Sequence, residues 1–151
     1  MRGQPFCLII FAMEDSCSLD KRRERLAADP FAAGLGVELL EVSEGYSRAR
    51  LRLSSRHLNF NGAVHGAVIF ALADAVFAAA SNSHEEICAA THVSIDFLRA
   101  PRPEDELVAE CRENLLGRKA GHYTMQVKDA SGETVALCQG WVYRSSRLHE
   151  D

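Results

Sequence analysis

The residue that points most clearly to chemistry is Asp74, because it lies inside a segment that is otherwise almost wholly apolar. This segment, Ala63 to Ala80, reads AVHGAVIFALADAVFAAA, and its only polar side chains are His65 and Asp74. In a helix, the residues three and four positions from Asp74 are apolar, so the carboxylate must face hydrophobic surroundings. Burying an unpaired charge is costly, and carboxylates in such surroundings concentrate at functional sites. Asp74 is therefore the leading functional candidate; alternatively it bonds nearby backbone or lines a polar seam between subunits.

A second candidate group lies at the start of the same helix. His65 and Gly66 follow the loop Asn59-Phe60-Asn61-Gly62, and the free N–H groups and positive dipole at a helix start can hold a carbonyl oxygen on which charge develops. Gly66 lets a ligand approach the backbone because it has no Cβ. The structural alternatives are close helix packing for Gly66, and a capping or buried core role for His65.

The spacing of these candidates constrains how they can work together. Gly66 and Asp74 are eight residues apart, so one helix separates them by roughly 12 Å and turns them in different directions. They cannot easily flank one reacting carbon within a single chain. If both are catalytic, Gly66 of one subunit must face Asp74 of another.

The elements that position these residues follow from hydrophobic periodicity and turn signals. An amphipathic helix is predicted from Ser18 to Ala28, closed by Pro30. A hairpin is predicted around Glu44-Gly45, with Ala49, Leu51 and Leu53 facing inward and Arg48, Arg50 and Arg52 outward. The Ala-rich segment is predicted to be helical. The predicted strands are Gly36 to Val42, Tyr46 to Leu53, Ile87 to Leu98, Leu107 to Leu116, Tyr123 to Lys128 and Thr134 to Arg144.

These elements predict an α+β fold in which an antiparallel sheet curls around the apolar helix, because few other arrangements bury every apolar face. The sheet's edge strands and outer face favour self-association. On the strand Ile87 to Leu98, Thr91 shares a face with Val93, Ile95 and Phe97, so its hydroxyl is expected to face the helix and hold a water. The alternative for Thr91 is a β-branched strand residue that bonds backbone.

Composition excludes several classes of function. The chain has 151 residues, of which 47% are hydrophobic, and its net charge is −4, so no overall positive field attracts nucleic acid or an anionic membrane. The five cysteines are odd in number and lack CxxC spacing, so the sequence predicts neither a disulfide framework nor a zinc ribbon. This cysteine usage favours a reducing, cytoplasmic location for the protein. The spacing of His57, His65 and Asp74 matches no known zinc arrangement, and cysteines on strands behave as small hydrophobes. We expect a leader at 1–17, one domain at 18–146 and a tail at 147–151.

The stretch from His57 to Asp74, HLNFNGAVHGAVIFALAD, resembles the signature of the PaaI-type hotdog-fold acyl-CoA thioesterases, and VSIDFLRAP, which begins at Val93, resembles their third strand. The resemblance implies a hotdog fold with active sites built by two subunits, often within a homotetramer. It implies that Asp74 is the general base or nucleophile, that the Gly66 amide, beside His65, polarises the thioester carbonyl, and that Asn59 orients substrate or water. Thr91 stands where relatives carry a Ser or Thr that supports the water. One departure is Ala67, where the family usually has a second glycine.

The resemblance implies an acyl-CoA substrate with an aromatic acyl group, such as phenylacetyl or hydroxyphenylacetyl, and leaves medium-chain and hydroxybenzoyl thioesters as alternatives. CoA is then part of the substrate, and no separate cofactor or metal is expected. Phosphates pair well with Arg, and two clusters could hold the CoA nucleotide: Arg99 with Arg102, and Arg118 with Lys119. The alternative is that these are ordinary exposed turn cations.

Two other functions compete with hydrolysis. A non-catalytic acyl-CoA-binding or regulatory module on the same fold would keep the acyl tunnel and lose the carboxylate, whereas Asp74 is present. A hotdog dehydratase would need a His and an Asp arranged for proton abstraction, and the available histidine, His65, lies at the helix start.

Overall fold

One antiparallel sheet of six strands curls around one long helix in the computed structural model, which describes residues 19–149. The strand order across the sheet is β1-β2-β4-β5-β6-β3, so β1 and β3 form its two edges. This architecture confirms the predicted α+β hotdog fold. The elements are α1 (19–27), α2 (Pro30–Leu35), β1 (Val37–Ser43), β2 (Tyr46–Arg52), a 3-10 turn (Ser55–His57), α3 (Gly66–Ser81), β3 (Glu86–Phe97), β4 (Glu106–Leu116), β5 (Ala120–Lys128) and β6 (Thr134–Leu148).

Strand β2 has the alternating pattern that the sequence predicts. Ala49 and Leu51 are fully buried against α3, because successive strand side chains point to opposite faces. On the outer face Arg50 pairs with Glu38 at 2.7 Å and Arg48 with Glu110 at 3.7 Å. The inward and outward assignment of β2 is therefore confirmed.

Helix α3 begins three residues later than predicted and has two unlike faces. His65 caps its first turn, so Ala63 and Val64 remain in the preceding loop. The side that faces the sheet is fully buried, with Leu72 and Val76 at its centre. The opposite face is covered only in part, by α1 and α2, and consists of Ala67, Phe70, Ala71, Asp74, Ala75 and Ala78.

Pro30 was expected to close the first helix, but it instead begins a second one. The Asp29 carboxylate accepts a hydrogen bond from the Ala32 N–H at 2.7 Å, and α2 ends at Gly36, whose φ is 87°. An acidic N-cap, proline in the first turn and a left-handed glycine at the end together define a short helix. The consequence is that α1 and α2 fold over α3 beside Asp74.

The edge strand β3 departs from strict alternation at Thr91. Ala90 pairs with Val142 and His92 with Trp141, so Thr91 is an extra residue in the ladder, which is a β-bulge. After the bulge, Val93 and Ile95 pack against the core as predicted. Thr91 itself is exposed, and its hydroxyl donates to the Trp141 carbonyl at 3.1 Å. The expected orientation of Thr91 toward α3 is therefore wrong, because the bulge interrupts the period of two.

The remaining boundaries differ from the predicted ones by a few residues. Strand β5 begins at Ala120 and β6 continues to Leu148, two residues past the domain end expected at 146. The predicted leader at 1–17 lies outside the described residues, as do residues 150 and 151 of the predicted tail. No helix within residues 19–149 has the length and apolar character required to cross a membrane.

Candidate active site

The loop before α3 is held by its own backbone and by Asn59. Leu58 and Val64 form an isolated antiparallel bridge, and the His65 N–H donates to the His57 carbonyl at 2.8 Å. The Asn59 side-chain oxygen accepts from the Asn61 and Ala63 N–H groups, at 2.9 and 3.2 Å. Within residues 19–149 the Asn59 side-chain NH₂ has no acceptor. This side chain therefore shapes the loop and keeps two donors for another molecule.

His65 and Gly66 have different roles at the start of α3. The His65 Nδ1 accepts a hydrogen bond from the Ala67 N–H at 3.0 Å, so His65 is the N-cap, the structural alternative considered for it. Its neighbour Gly66 is the first helical residue, and its N–H has no acceptor within residues 19–149. A free first-turn amide at the positive end of a helix can stabilise an oxyanion.

Asp74 lines a pocket of about 160 Å³ between α3, α1, α2 and β1. The wall is mainly apolar, and the polar residues in it are Arg25, Asp29 and Asp74. Burial raises the pKa of the Asp74 carboxyl, and the nearby Asp29 carboxylate raises it further. Both effects disfavour the charged form. Asp74 is thus a half-buried base in an apolar pocket that is large enough for a small ligand group. The full lining is Arg25, Leu26, Ala27, Asp29, Phe31, Ala32, Val37, Leu39, Ala71, Asp74, Ala75, Ala78 and Ala79.

Asp29 is a functional candidate that the sequence interpretation missed. Its carboxylate is fixed by the hydrogen bond from the Ala32 N–H, and it shares the pocket with Asp74. The available signal was the dipeptide Asp29-Pro30, which is typical of a helix start. Its effect on Asp74 could not be found in the sequence, because it depends on how α2 folds over α3.

The catalytic candidates occupy separate places in one chain. Gly66 lies at the first turn of α3 and Asp74 two turns further along, in a pocket lined by the α1–α2 segment. Thr91 lies on the exposed edge strand β3. The structure therefore brings Asn59, His65 and Gly66 together at one end of α3, and leaves Asp74 and Thr91 outside that group.

The predicted cation clusters lie at opposite ends of strand β4. Arg99 and Arg102 precede this strand and Arg118 and Lys119 follow it, and eleven strand residues span roughly 33 Å. Arg99 is already paired with Glu133 and lies 3.8 Å from Asp129. Arg102 shares with these residues a surface cavity of about 610 Å³ whose lining also includes Glu104 and Asp105.

The second cluster carries less competing charge. Arg118 is exposed and has no ion-pair partner within residues 19–149. The Lys119 ammonium lies 5.7 Å from the centre of the Tyr143 ring. On electrostatic grounds Arg118 and Lys119 are the better candidates for phosphate binding, because no carboxylate of residues 19–149 pairs with either of them.

In the described part of the chain, no arrangement of side chains supports the alternatives of a metal site or a reactive thiol. Residues 19–149 contain no group of three or more His, Cys, Asp or Glu side chains placed to hold a metal ion. Both ring nitrogens of His57 are engaged, by the Ser54 N–H and the Leu35 carbonyl. Burial raises the pKa of the Cys138 thiol to about 11 and also raises that of Cys88. These thiols are therefore protonated and unreactive near neutral pH.

Comparisons with known proteins show which proteins this chain is similar to in sequence and in fold. The family model described as "Thioesterase superfamily" matches residues 61–136. The Escherichia coli protein named acyl-coenzyme A thioesterase PaaI is 32% identical over 116 residues, which are 77% of this chain and 83% of that protein. An Archaeoglobus fulgidus relative whose name describes an esterase is 42% identical over 73% of this chain and 71% of its own. The solved structure of E. coli PaaI, from the phenylacetic acid degradation operon, superimposes with a TM-score of 0.83 at 28% identity and covers 88% of this chain and 97% of that one.

Proposed function

The chain belongs to the thioesterase superfamily and is a PaaI-type acyl-CoA thioesterase, and from this premise we propose how its residues hydrolyse the thioester and which acyl groups they accept. The observation that carries the mechanism is the Asp74 carboxylate, which is half-buried in an apolar pocket and has a raised pKa. A carboxylate in such surroundings is a stronger base than an exposed one, because burial disfavours its charge.

In the proposed reaction, Asp74 accepts a proton from a water whose oxygen attacks the thioester carbon. The carbonyl oxygen, which becomes an oxyanion, accepts a hydrogen bond from the Gly66 N–H. The carbon–sulfur bond then breaks, the thiolate of CoA takes up a proton, and the products are the free acid and CoA. Alternatively, the Asp74 carboxylate itself attacks the carbon and expels the CoA thiolate, which takes up a proton, and water then hydrolyses the resulting anhydride to the free acid and Asp74.

The site requires two chains. Along one helix, Gly66 and Asp74 are separated by roughly 12 Å, which is too far for both to contact one thioester group. The face of α3 that carries Asp74 is incompletely covered. The edge strand β3, at the other side of the sheet from the β1 residues that line the Asp74 pocket, pairs only with β6 within residues 19–149. Both features are satisfied by a homodimer in which Asn59, His65 and Gly66 of one chain face Asp74 of the other.

Within this dimer the polar groups have distinct roles. His65 fixes the first turn of α3 through its bond to the Ala67 N–H, and the free NH₂ of Asn59 orients the substrate or the water. The Thr91 hydroxyl donates to backbone and still has lone pairs that can accept from a water at the edge of the sheet.

The size of the Asp74 pocket supports an aromatic acyl group. A dry apolar cavity of about 150 Å³ binds benzene in another protein, and the pocket beside Asp74 has about 160 Å³. A phenylacetyl or hydroxyphenylacetyl group therefore fits, with its ring against apolar residues such as Phe31 and Leu39. A long acyl chain does not fit without movement of α1 and α2.

The CoA portion lies on the protein surface, where phosphates need cations. Arg118 and Lys119 lack carboxylate partners among residues 19–149, so they are the first candidates for the nucleotide, and Arg102 with Arg99 is the second. The outer sheet face carries Leu137, Trp141 and Tyr143, each at least 40% exposed. Burial of these side chains between two dimers completes the proposed homotetramer.

The experiment that tests the function is a hydrolysis screen in which free CoA thiol is measured for a panel of CoA thioesters. The panel contains phenylacetyl-, hydroxyphenylacetyl-, hydroxybenzoyl- and medium-chain acyl-CoA. We expect the highest kcat/KM with the phenylacetyl type. Tight binding of all these thioesters without any thiol release would instead indicate a non-catalytic acyl-CoA-binding module.

A further inference from the structure

The aromatic ring of Phe97 lies directly against Gly66. Phe97 is the last residue of β3, and its ring atoms lie 3.3 to 3.9 Å from the place where a Cβ on Gly66 would stand. A Cβ at residue 66 would therefore be in close contact with the ring, which would have to shift slightly to admit it. Despite this contact, 53% of Phe97 is exposed, so much of its surface faces outward at the start of α3.

The position of this ring follows from the regular alternation of β3 beyond Thr91. Val93 and Ile95 pack against the core on the side of α3. Phe97 is two residues further along and has the same orientation. This alternation brings the Phe97 ring to the start of α3.

The ring is next to the amide that the mechanism uses. Covalent geometry places an amide nitrogen about 2.5 Å from the Cβ position of its own residue, so the nearest ring atom lies within about 6 Å of the Gly66 nitrogen. A thioester whose carbonyl oxygen accepts the Gly66 N–H must lie close to that ring. Aromatic rings attract one another in offset or edge-to-face arrangements beyond the gain from burying area.

We propose that Phe97 is a specificity-determining residue, which forms a wall of the acyl site at the Gly66 amide and favours aromatic over saturated acyl groups of the same size. The proposal rests on the proposed hydrolysis of acyl-CoA. It explains the half-exposed ring as a surface that the substrate covers.

The test compares phenylacetyl-CoA with cyclohexylacetyl-CoA, because the two acyl groups differ in aromaticity and hardly in size. Three variants separate the aromaticity of the ring from its bulk. Phe97→Tyr keeps the aromatic ring, Phe97→Leu keeps apolar bulk without aromaticity, and Phe97→Ala removes both bulk and aromaticity. The matched control is Leu98→Ala, which shortens the neighbouring side chain. Leu98 is 56% exposed, which is close to the exposed fraction of Phe97. Thermal unfolding and gel filtration of each variant check the fold and the assembly.

We expect the wild type to prefer phenylacetyl-CoA in kcat/KM, and Phe97→Leu and Phe97→Ala to lower this preference about threefold to tenfold. Phe97→Tyr and Leu98→Ala should keep it within about twofold. An unchanged preference in Phe97→Leu and Phe97→Ala, or a wild type that does not prefer the aromatic substrate, overturns the inference.

Two further outcomes separate this inference from the proposed function. If Phe97→Ala and Phe97→Leu dissociate the oligomer, the ring is an interface residue and the inference is wrong, while hydrolysis by the wild type still stands. If the wild type releases thiol from none of the thioesters in the screen, the proposed function itself is wrong, and the role of Phe97 is lost with it.

Discussion

The two ends of helix α3 differ in how completely their polar groups are bonded. At the start, the Gly66 N–H and the Asn59 NH₂ have no acceptor within residues 19–149, and Phe97 is half-exposed. At the other end, the Ser83 hydroxyl donates to the Ala80 carbonyl at 2.7 Å and accepts from the Gly45 N–H at 2.8 Å.

The bonded network continues beyond Ser83. Glu113 receives the Tyr123 hydroxyl and contacts the His84 Nε2, both at 2.7 Å, and the Arg144 guanidinium binds Glu86 and the Gly117 carbonyl. The Arg144 Nε is buried and has no partner within residues 19–149, but the other bonds named here are made. Hydrogen-bond networks of this kind rigidify a fold, because each group would be costly to leave unpaired. The comparison indicates that the Ser83 end holds the helix in place, and it supports the proposal that the Gly66 end meets the substrate.

The largest expected effect is on catalysis by Asp74→Asn. Loss of the carboxylate removes the base or nucleophile, so kcat should fall by at least about 100-fold, while the fold remains. Asp96→Asn, an exposed carboxylate change on β3, is the matched control and should leave kcat unchanged. The measurement is thiol release at saturating substrate, and normal turnover in a folded Asp74→Asn protein would remove the mechanism.

The next prediction tests whether the Gly66 end of one chain serves Asp74 of another. Proline is tolerated at a first helical position and has no N–H, so Gly66→Pro removes the proposed donor. Neither Gly66→Pro nor Asp74→Ala should be active alone. Random exchange of the two chains makes half of the dimers mixed, with one intact site in two, so about a quarter of wild-type activity should return.

The control for this experiment is mass spectrometry of the mixture, which measures how far the subunits exchange. If exchange is complete and no activity returns, each site lies within one chain. The proposal that Gly66 of one chain acts with Asp74 of the other is then wrong.

A smaller effect is expected at the surface cations, which lie toward opposite ends of the sheet. Arg118→Glu should raise KM for CoA thioesters about threefold to tenfold, because it places a carboxylate against the phosphates. The effect should shrink as salt rises. Arg102→Glu should change KM less, since carboxylates already surround Arg102.

The control substrate is a pantetheine thioester, which lacks the nucleotide. Its hydrolysis should be nearly unaffected by Arg118→Glu. Equal losses on both substrates would indicate that Arg118 acts through the fold and does not contact the nucleotide.

The Ser83 end predicts the opposite phenotype, a loss of stability without loss of catalysis. Burial and the bond to Glu113 raise the pKa of the Tyr123 phenol, so Tyr123 remains a donor at neutral pH. Glu113→Gln weakens the bonds from Tyr123 and His84 and should lower the free energy of unfolding by about 1–3 kcal/mol. Urea unfolding measures this change, with Glu110→Gln on the outer face as control. A large loss of kcat in Glu113→Gln would contradict the comparison.

Much of the scaffold could be predicted from the sequence because its patterns are long. The period of two in β2 predicts which face of that strand is buried, and the apolar run of α3 predicts a helix and where Asp74 lies along it. The bulge at Thr91 could not be predicted, because an extra residue in a ladder depends on the register of the neighbouring strand. Helix α2 was missed although Asp29 and Pro30 signalled it, because a proline can end one helix and begin the next.

The site was predictable in part for the same reason. His65, Gly66 and Asp74 are found from residue type and position on one helix, but the Asp29 carboxylate and the Phe97 ring reach them through tertiary packing. A sequence pattern predicts on which face of a helix or strand a residue lies. Only the folded structure shows which other residues pack against that face.

The smallest expected effect concerns the cost of keeping Asp74 in its pocket. Burial raises its folded-state pKa, so between the unfolded and folded pKa values the folded protein binds more protons, and stability falls as pH rises. At neutral pH the ionised Asp74 carboxylate therefore lowers the stability of the folded protein. Below the unfolded-state pKa the group is protonated in both states and does not change the stability. Asp74→Asn should raise Tm by a few degrees at pH 7, and the gain should vanish toward about pH 4. Asp96→Asn should show no such pH-dependent gain. A lower Tm for Asp74→Asn at pH 7 would mean that the carboxylate stabilises the fold, as the groups at the Ser83 end do, and would contradict this prediction.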